Sequence, residues 1–234
     1  MRRIGFSTGA LARGDFRAAL AILCQHDISI IELSALRFEE LTPLVTALPS
    51  LDLAHFAFVA VHAPSRFARD SEQQVVEQLC LVAERGYPVI VHPDVIIEPE
   101  RWNVLGNLLA IENMDKRKPL GRTVSELHEI FRLLPAARFC FDIGHARQVD
   151  PSMTEASLLL HTFGDRLLEV HMSEVNTASR HDPISLNAVM AFSAIAGSIP
   201  EEIPIILEPL IDQGQSAIGI ELQRARDVFA PVTV

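Results

Sequence analysis

The sequence predicts a closed (β/α)8 barrel of the TIM type, and three observations predict it. Short apolar runs, many of them rich in Val, Ile and Phe, alternate with segments of helical periodicity along the whole chain. Eight such units share 234 residues, about 29 residues each, which suits one strand, one crossover helix and their turns. The strands are almost continuously apolar, as strands buried on both faces of a parallel sheet must be. An open doubly wound sheet is the alternative, but its glycine-rich first turn is missing: Gly5-Phe6-Ser7-Thr8-Gly9 does not match G-x-G-x-x-G. No linker or low-complexity segment divides the chain, so residues 1–234 are expected to form a single domain.

Arg3–Ser7 reads as the first strand, and Asp15 is placed to N-cap a helix whose Phe16, Ala19, Leu20 and Leu23 share one face. Ile28–Leu33 is the second strand, followed by a helix around Phe38–Leu48 with Pro43 in it or near its start. Ala57–His62 is the third, stopped by Pro64, with a long amphipathic helix over Asp70–Arg85. Pro88–His92 is the fourth, backed only by a short helical stretch near Glu100–Val104. Asn107–Glu112 is the fifth, after which Thr123 and Glu126 have the spacing of a capping box for a helix to Leu134. Arg138–Asp142 is the sixth, with a helix near Met153–Phe163, and Leu167–His171 the seventh, with a helix near Leu186–Ala196. Ile203–Glu208 is the eighth strand and Ser216–Phe229 the last helix.

Apolar residues make up 49% of the chain and charged residues 21%, with a mean hydropathy of +0.23, which excludes a disordered chain. The 20 basic residues face 30 acidic ones, a net charge of −10 with no Lys/Arg stripe, which argues against nucleic acid as a partner. Cys24, Cys80 and Cys140 are unpaired in spacing and set in apolar sequence, so buried structural thiols in a reducing compartment are expected. Met1-Arg2-Arg3 resembles the start of a secretory signal, but Gly5, Ser7, Thr8 and Gly9 interrupt any apolar stretch behind it. With no apolar run long enough to span a membrane, a cytoplasmic location is expected.

The strand ends carry the chemistry. His62, His92, Glu112, Asp142, His171 and Glu208 each stand directly after apolar strand residues, on six consecutive strands. In a barrel those ends share one mouth, where active sites are built. A lone strand-end His is ordinarily structural and a lone carboxylate ordinarily a helix cap, but several of these are followed by Pro, Asn or Gly instead of a helix start. Lys116 and Lys118 are the only lysines to offset them. Carboxylates crowded into a low-dielectric mouth need a cation to stay ionised, and mixed His/carboxylate ligation suits Zn²⁺, Mn²⁺ or Fe²⁺.

The ordered series His62-Ala-Pro, His92-Pro, Glu112-Asn, Asp142-Ile-Gly-His145, His171-Met-Ser-Glu174 and Leu207-Glu208 resembles the xylose isomerase-like TIM-barrel superfamily over essentially the whole chain. That superfamily contains sugar isomerases, ketose 3-epimerases, inosose dehydratases and endonuclease IV. For a single-metal isomerase or epimerase the resemblance implies one Mn²⁺, Mg²⁺ or similar ion on Glu112, Asp142, His171 and Glu208, with Glu112 and Glu208 also moving the proton. For endonuclease IV it implies those four on one zinc of three, with His62, His92 and Glu112 on a second. His145 would hold the third with an Asp and a His of the loop after strand 7, but Ser179-Arg180-His181 stands where that family has Asp-Arg-His, so a carboxylate is missing.

The expected function is therefore a metal-dependent sugar, sugar-phosphate or polyol isomerase or epimerase. The alternatives are a di- or trinuclear zinc hydrolase of a small phosphoester and a metal-binding barrel without catalysis. A small polar substrate, above all a carbohydrate, is the expected partner, and a homo-oligomer is left open. Arg180, Glu174, His145 and Glu32 are the candidate substrate contacts, Glu32 having a second reading as a partner to a ligand His. Asn113 is expected to orient its neighbours, and His26, His55, His128 and His161 to lie outside the mouth. Trp102, Phe38 and Phe67 are read as outer-layer packing ahead of a sugar-pocket wall. Gly214-Gln215-Ser216 could present backbone N–H groups to a phosphate, though a helix cap explains it as well.

Overall fold

The computed structural model describes residues 2–211 and 215–230, so Gly214 and the phosphate-binding reading attached to it lie outside the described residues. In chain order the strands are β1 (Ile4–Ser7), β2 (Ile30–Ser34), β3 (Phe58–His62), β4 (Val89–Val91), β5 (Leu109–Glu112), β6 (Arg138–Asp142), β7 (Leu167–Met172), β8 (Glu174–Val175), β9 (His181–Asp182) and β10 (Ile205–Leu207). Eight of them close into a barrel in the order β1-β10-β7-β6-β5-β4-β3-β2, every pair parallel, while β8 and β9 form a small antiparallel hairpin.

The helices are α1 (Thr8–Ala12), α2 (Phe16–Leu23), α3 (Phe38–Ala47), α4 (Glu72–Ala83), α5 (Pro99–Trp102), α6 (Val124–Leu133), α7 (Ile143–Val149), α8 (Thr154–Phe163), α9 (Leu186–Ala196) and α10 (Gln215–Val228). Asp15 caps α2 by accepting from the Ala18 N–H at 3.0 Å. The capping box at α6 is half made. Thr123 accepts from the Glu126 N–H, but the Glu126 carboxylate reaches back to the N–H and guanidinium of Arg122 instead of Thr123.

Two short helices, α1 and α7, escape the sequence reading because each starts in the last strand residue's own turn, leaving no gap for a cap signal. The expected stretch near Glu100–Val104 is α5 followed by a 3₁₀ turn over Asn103–Leu108, in which Gly106 has φ 56, so β5 begins at Leu109 and not Asn107. Trp102 is fully buried and donates to Glu72 at 2.8 Å, which makes it part of the outer packing. The expectation of buried thiols fails for Cys24, which is exposed at the C-terminal end of α2, and Cys80 is half-buried; only Cys140 is fully buried.

Strand periodicity decides what points into the barrel. Ala60, Ile90, Ala110 and Cys140 pack together as an inner apolar layer, separate from the main core between strands and helices. Two residues further along the same strands come His62, His92, Glu112 and Asp142. Register aligns the rest: Asp142 pairs with His171, Cys140 with Glu169 and with Glu112, and Ser34 with His62. The inner layer is thus a floor, and the strand-end residues stand on it.

Candidate metal centre

Glu112 is the hub. It is 1% exposed, and its two oxygens face different partners. Oε2 lies 3.2 Å from His62 Nε2 and 3.1 Å from His92 Nε2, whereas Oε1 lies 3.2 Å from His145 Nδ1 and 3.5 Å from His171 Nδ1. Four overlapping sets of potential ligand atoms gather around this point, the atoms of each set lying within 4.8 Å of one another: Glu112, Asp142, His171 and Glu208; His62, His92 and Glu112; His62, His171 and Glu208; and Asp142, His145 and His181. The residues that the resemblance assigns to three ions thus lie together, but the sets overlap, and Asp142 stands in the set of His145 and His181 where the resemblance implies a loop carboxylate.

Local structure explains the aim of several side chains. Asp142 ends β6 and is also the N-cap of α7, with Oδ1 accepting from the His145 N–H at 2.6 Å. That contact turns Oδ2 toward the cluster, where it has no hydrogen bond. Gly144 follows because a Cβ there would collide with the Ser173 carbonyl at the end of β7. Asn113 locks the pair of strand ends, donating to Asp142 O and accepting from its N–H, both at 2.8 Å. His62 donates through Nδ1 to Ala63 O at 2.8 Å, which turns Nε2 toward Glu112 Oε2 at 3.2 Å.

The residues fit a cation. Asp142 Oδ2, His171 Nδ1 and Glu208 Oε2 are buried without a hydrogen bond, and all three belong to the four-residue group. The electrostatics say the same. Burial pushes the Glu208 carboxyl up to about 8, with Glu112 and Asp142 adding to the effect against His171. Burial raises Asp142 as well. Burial opposes charge on His62 and His145, but the facing carboxylates outweigh it: Glu32 and Glu112 push His62 up to about 9, and Asp142 and Glu112 push His145 up to about 10. His92 is held down by burial, and His181 is pushed down to about 3 by burial and the neighbouring His145. Glu112 is held well below the usual range because His92, His145 and His171 overcome its burial.

A cavity of about 350 Å³ opens over the cluster. Arg117, Lys118 and Arg180 line one part of it and Ala10, Leu36 and Leu210 another. A larger hollow, about 700 Å³, opens at the other end of the barrel, but it brings only Asp52, Arg85 and Tyr87 to chemistry and no ligand group.

No family profile matches the sequence, and no curated protein matches it. Solved structures do. Endonuclease IV from Thermus thermophilus superposes with a TM-score of 0.63 at 17% identity, covering 97% of this chain and 98% of that one. The 3-keto-D-glucoside 4-epimerase of E. coli superposes at 0.59 with 12% identity, covering 97% and 99%. An L-ribulose 3-epimerase superposes at 0.59 with 13% identity, covering 100% and 89%. The fold they share with this chain is the closed (β/α)8 barrel. At these identities the likeness speaks for the fold; the reaction has to be argued from the site.

Two of the candidate substrate contacts lie elsewhere in this barrel. Glu174 does not line the cavity: Arg147 of α7 holds it at 2.9 Å, and it accepts from the Ser185 N–H at 3.1 Å. Glu32 is fully buried beneath the cluster, with Oε2 3.0 Å from His171 Nε2. Arg180 and His145 do line the cavity. Ser179 is no ligand either. It has φ 53, accepts from Gln148 at 2.8 Å and donates to Asp115 at 2.9 Å, pinning the β8–β9 hairpin that carries Arg180 and His181. His55, His128 and His161 are exposed, and His26 is half-buried, away from the cavity.

Asp115, Gln148 and Glu169 take part, though none of them stands among the candidates read from the sequence. Glu169 alone carried a signal, two residues before His171 on the same strand. No helix among the described residues is long and apolar enough to cross a membrane.

Proposed function

We propose that this chain is a metal-dependent hydrolase of a small phosphoester, working with two or three divalent ions. The observation that carries the reading is the division of Glu112: one oxygen faces His62 and His92, the other His145 and His171. A carboxylate that shuttles a substrate proton needs an oxygen free on the substrate side. One set between two groups of nitrogen ligands would be suited to helping hold a divalent ion on each side.

Glu112, Asp142, His171 and Glu208 would hold one ion, His62, His92 and Glu112 a second, and Asp142, His145 and His181 a third. The third set lacks the carboxylate that Ser179 replaces, so it is the weakest. Bound there, the ions supply Lewis acidity toward a phosphoryl oxygen and acidify water. The chain's own residues do the rest. Arg180 and Arg117 bind and orient the anionic group from the rim, Arg117 being tied to Asp115 and to Ser179 O. Ala10, Leu36 and Leu210 exclude water and receive the organic part of the ester. A cavity of about 350 Å³ and a net charge of −10 favour a small molecule over a nucleic acid.

A sugar isomerase or epimerase is the second reading, and Glu208 favours it. Its carboxyl lines the cavity, and burial raises it to about 8, so it can both take and return a proton near neutrality. Plasma mass spectrometry on chain purified without added metal, with a panel of phosphoesters and keto-sugars in D₂O, separates the two. Two or three ions per chain and phosphate release are expected. One ion per chain with deuterium washed into a keto-sugar would overturn the hydrolase reading, because hydrolysis breaks no C–H bond.

A further inference from the structure

We infer that Glu32 and Glu169 form a carboxylate clamp beneath His171 that positions it for ion binding; the inference rests on the metal-centre reading above. Both glutamates are fully buried, and neither lines the cavity. Glu169 Oε1 accepts from His171 Nε2 at 3.3 Å, and Glu32 Oε2, reaching across from β2, lies 3.0 Å from the same nitrogen. On the other edge of the ring, Nδ1 faces Glu112 and Glu208 at 3.5 Å each and has no hydrogen bond. Two carboxylates at Nε2 keep the proton on that nitrogen, which reserves the Nδ1 lone pair for an ion.

Stability does not explain these two residues. Neither oxygen of Glu32 has a hydrogen bond, and Glu169 Oε2 has none. A buried carboxylate left so poorly paired is costly, and an apolar residue would pack the floor at less expense. Their charge makes sense once ions are seated above them. Glu112, Asp142 and Glu208 bring three negative charges to the ligand groups, while two or three divalent ions bring roughly +4 to +6. Glu32 and Glu169 place two more carboxyl groups directly below, out of reach of substrate. Cys140, Glu169 and His171 also lie within 4.8 Å of one another, but an ion there would need the nitrogen that the clamp occupies.

The isosteric variants Glu32→Gln and Glu169→Gln test the clamp by Zn²⁺ titration of the metal-stripped chain against a chromophoric chelator. Each is expected to weaken Zn²⁺ binding about 10–100-fold. The thermal midpoint of the metal-free variants is expected to stay level, because each amide keeps the shape of the carboxyl group it replaces. A purely structural role predicts the reverse pattern: Zn²⁺ held as tightly as by wild type and a lower metal-free midpoint. Long-range ¹⁵N–¹H correlation on the Zn²⁺-loaded wild-type chain gives a readout that does not depend on the variants folding. His171 protonated on Nε2 supports the clamp, and His171 protonated on Nδ1 overturns it. A wild-type chain that binds no Zn²⁺ overturns the metal centre itself, and the clamp with it.

Discussion

Each strand of this barrel presents one face to the helices and one to the interior, and the two faces are built from different materials. Outward residues such as Phe139, Phe141, Val170 and Leu207 are fully buried in a core that runs around the barrel between strands and helices. Inward residues of the same strands, Cys140, Asp142, Glu169 and His171 among them, are equally buried but mostly ionisable. Burial is the same on both faces, yet only the outer one gains from it. The outer shell removes apolar surface from water and stabilises the fold. The inner face loses hydration around charged groups and depends on that shell to be held together. The fold thus supports a poorly paired interior that no small isolated cluster could maintain.

Changing one face at a time sharpens the contrast. The largest effect is expected from Glu112→Gln, which removes a charged ligand from two groups at once: activity should fall to background and metal content should drop by more than one ion per chain. Denaturant unfolding of the same variant, stripped of metal, should lose stability near pH 6, where the carboxylate offsets protonated His62 and His145, and lose less at pH 10. Phe141→Ala should instead cost about 3–5 kcal/mol in urea unfolding at either pH, while the surviving folded fraction still binds metal. If the loss caused by Phe141→Ala varied with pH as that of Glu112→Gln does, the two faces would not be separable in this way.

A pH series tests the interior by itself. His62 and His145 hold protons up to about 9 and about 10 in the folded, metal-free chain, against an ordinary value of 6.5. The folded state therefore binds more protons than the unfolded state across that window. Their contribution is fully present below about 6.5 and is lost as pH rises through 9 and 10. Glu208, raised to about 8, acts in the same direction from lower pH. Urea midpoints of metal-stripped chain should accordingly fall from pH 6 to pH 10. Metal binding should strengthen over the same range, because imidazoles must shed protons to ligate. A metal-free midpoint that climbs with pH would contradict both statements.

The smallest effect is expected at the rim. Ser179→Ala removes hydrogen bonds to Asp115 and Gln148 and should cost about 1 kcal/mol. Substrate KM should rise through the loosened Arg180, with metal content unchanged.

The barrel and its mouth were legible because both rest on short-range regularities. An apolar run ending in His or a carboxylate marks a strand end, and closure brings those ends together whatever the loops do. What escaped depends on contacts across the fold. Glu174, three residues past His171, looks like a mouth residue until α7 brings Arg147 against it. Ser179 reads as a missing ligand, but its left-handed backbone and its grip on Asp115 appear only once the hairpin has folded against the loop after β5. Glu169 is the instructive case. It sits mid-strand without an end to mark it, and its meaning comes from Glu32 on β2, far away in the sequence.

Asp142 joins the interior to the outer helices through one carboxylate. Its Oδ1 holds the first turn of α7 through the His145 N–H, while Oδ2 turns toward the cluster. Seating an ion on Oδ2 steadies the whole carboxylate, and with it the cap. The His145 amide should therefore exchange its hydrogen for deuterium more slowly in loaded chain than in stripped chain, whereas the Glu126 amide at the Thr123 cap of α6 should not change. One backbone proton would then report occupancy of the centre without substrate, dye or turnover.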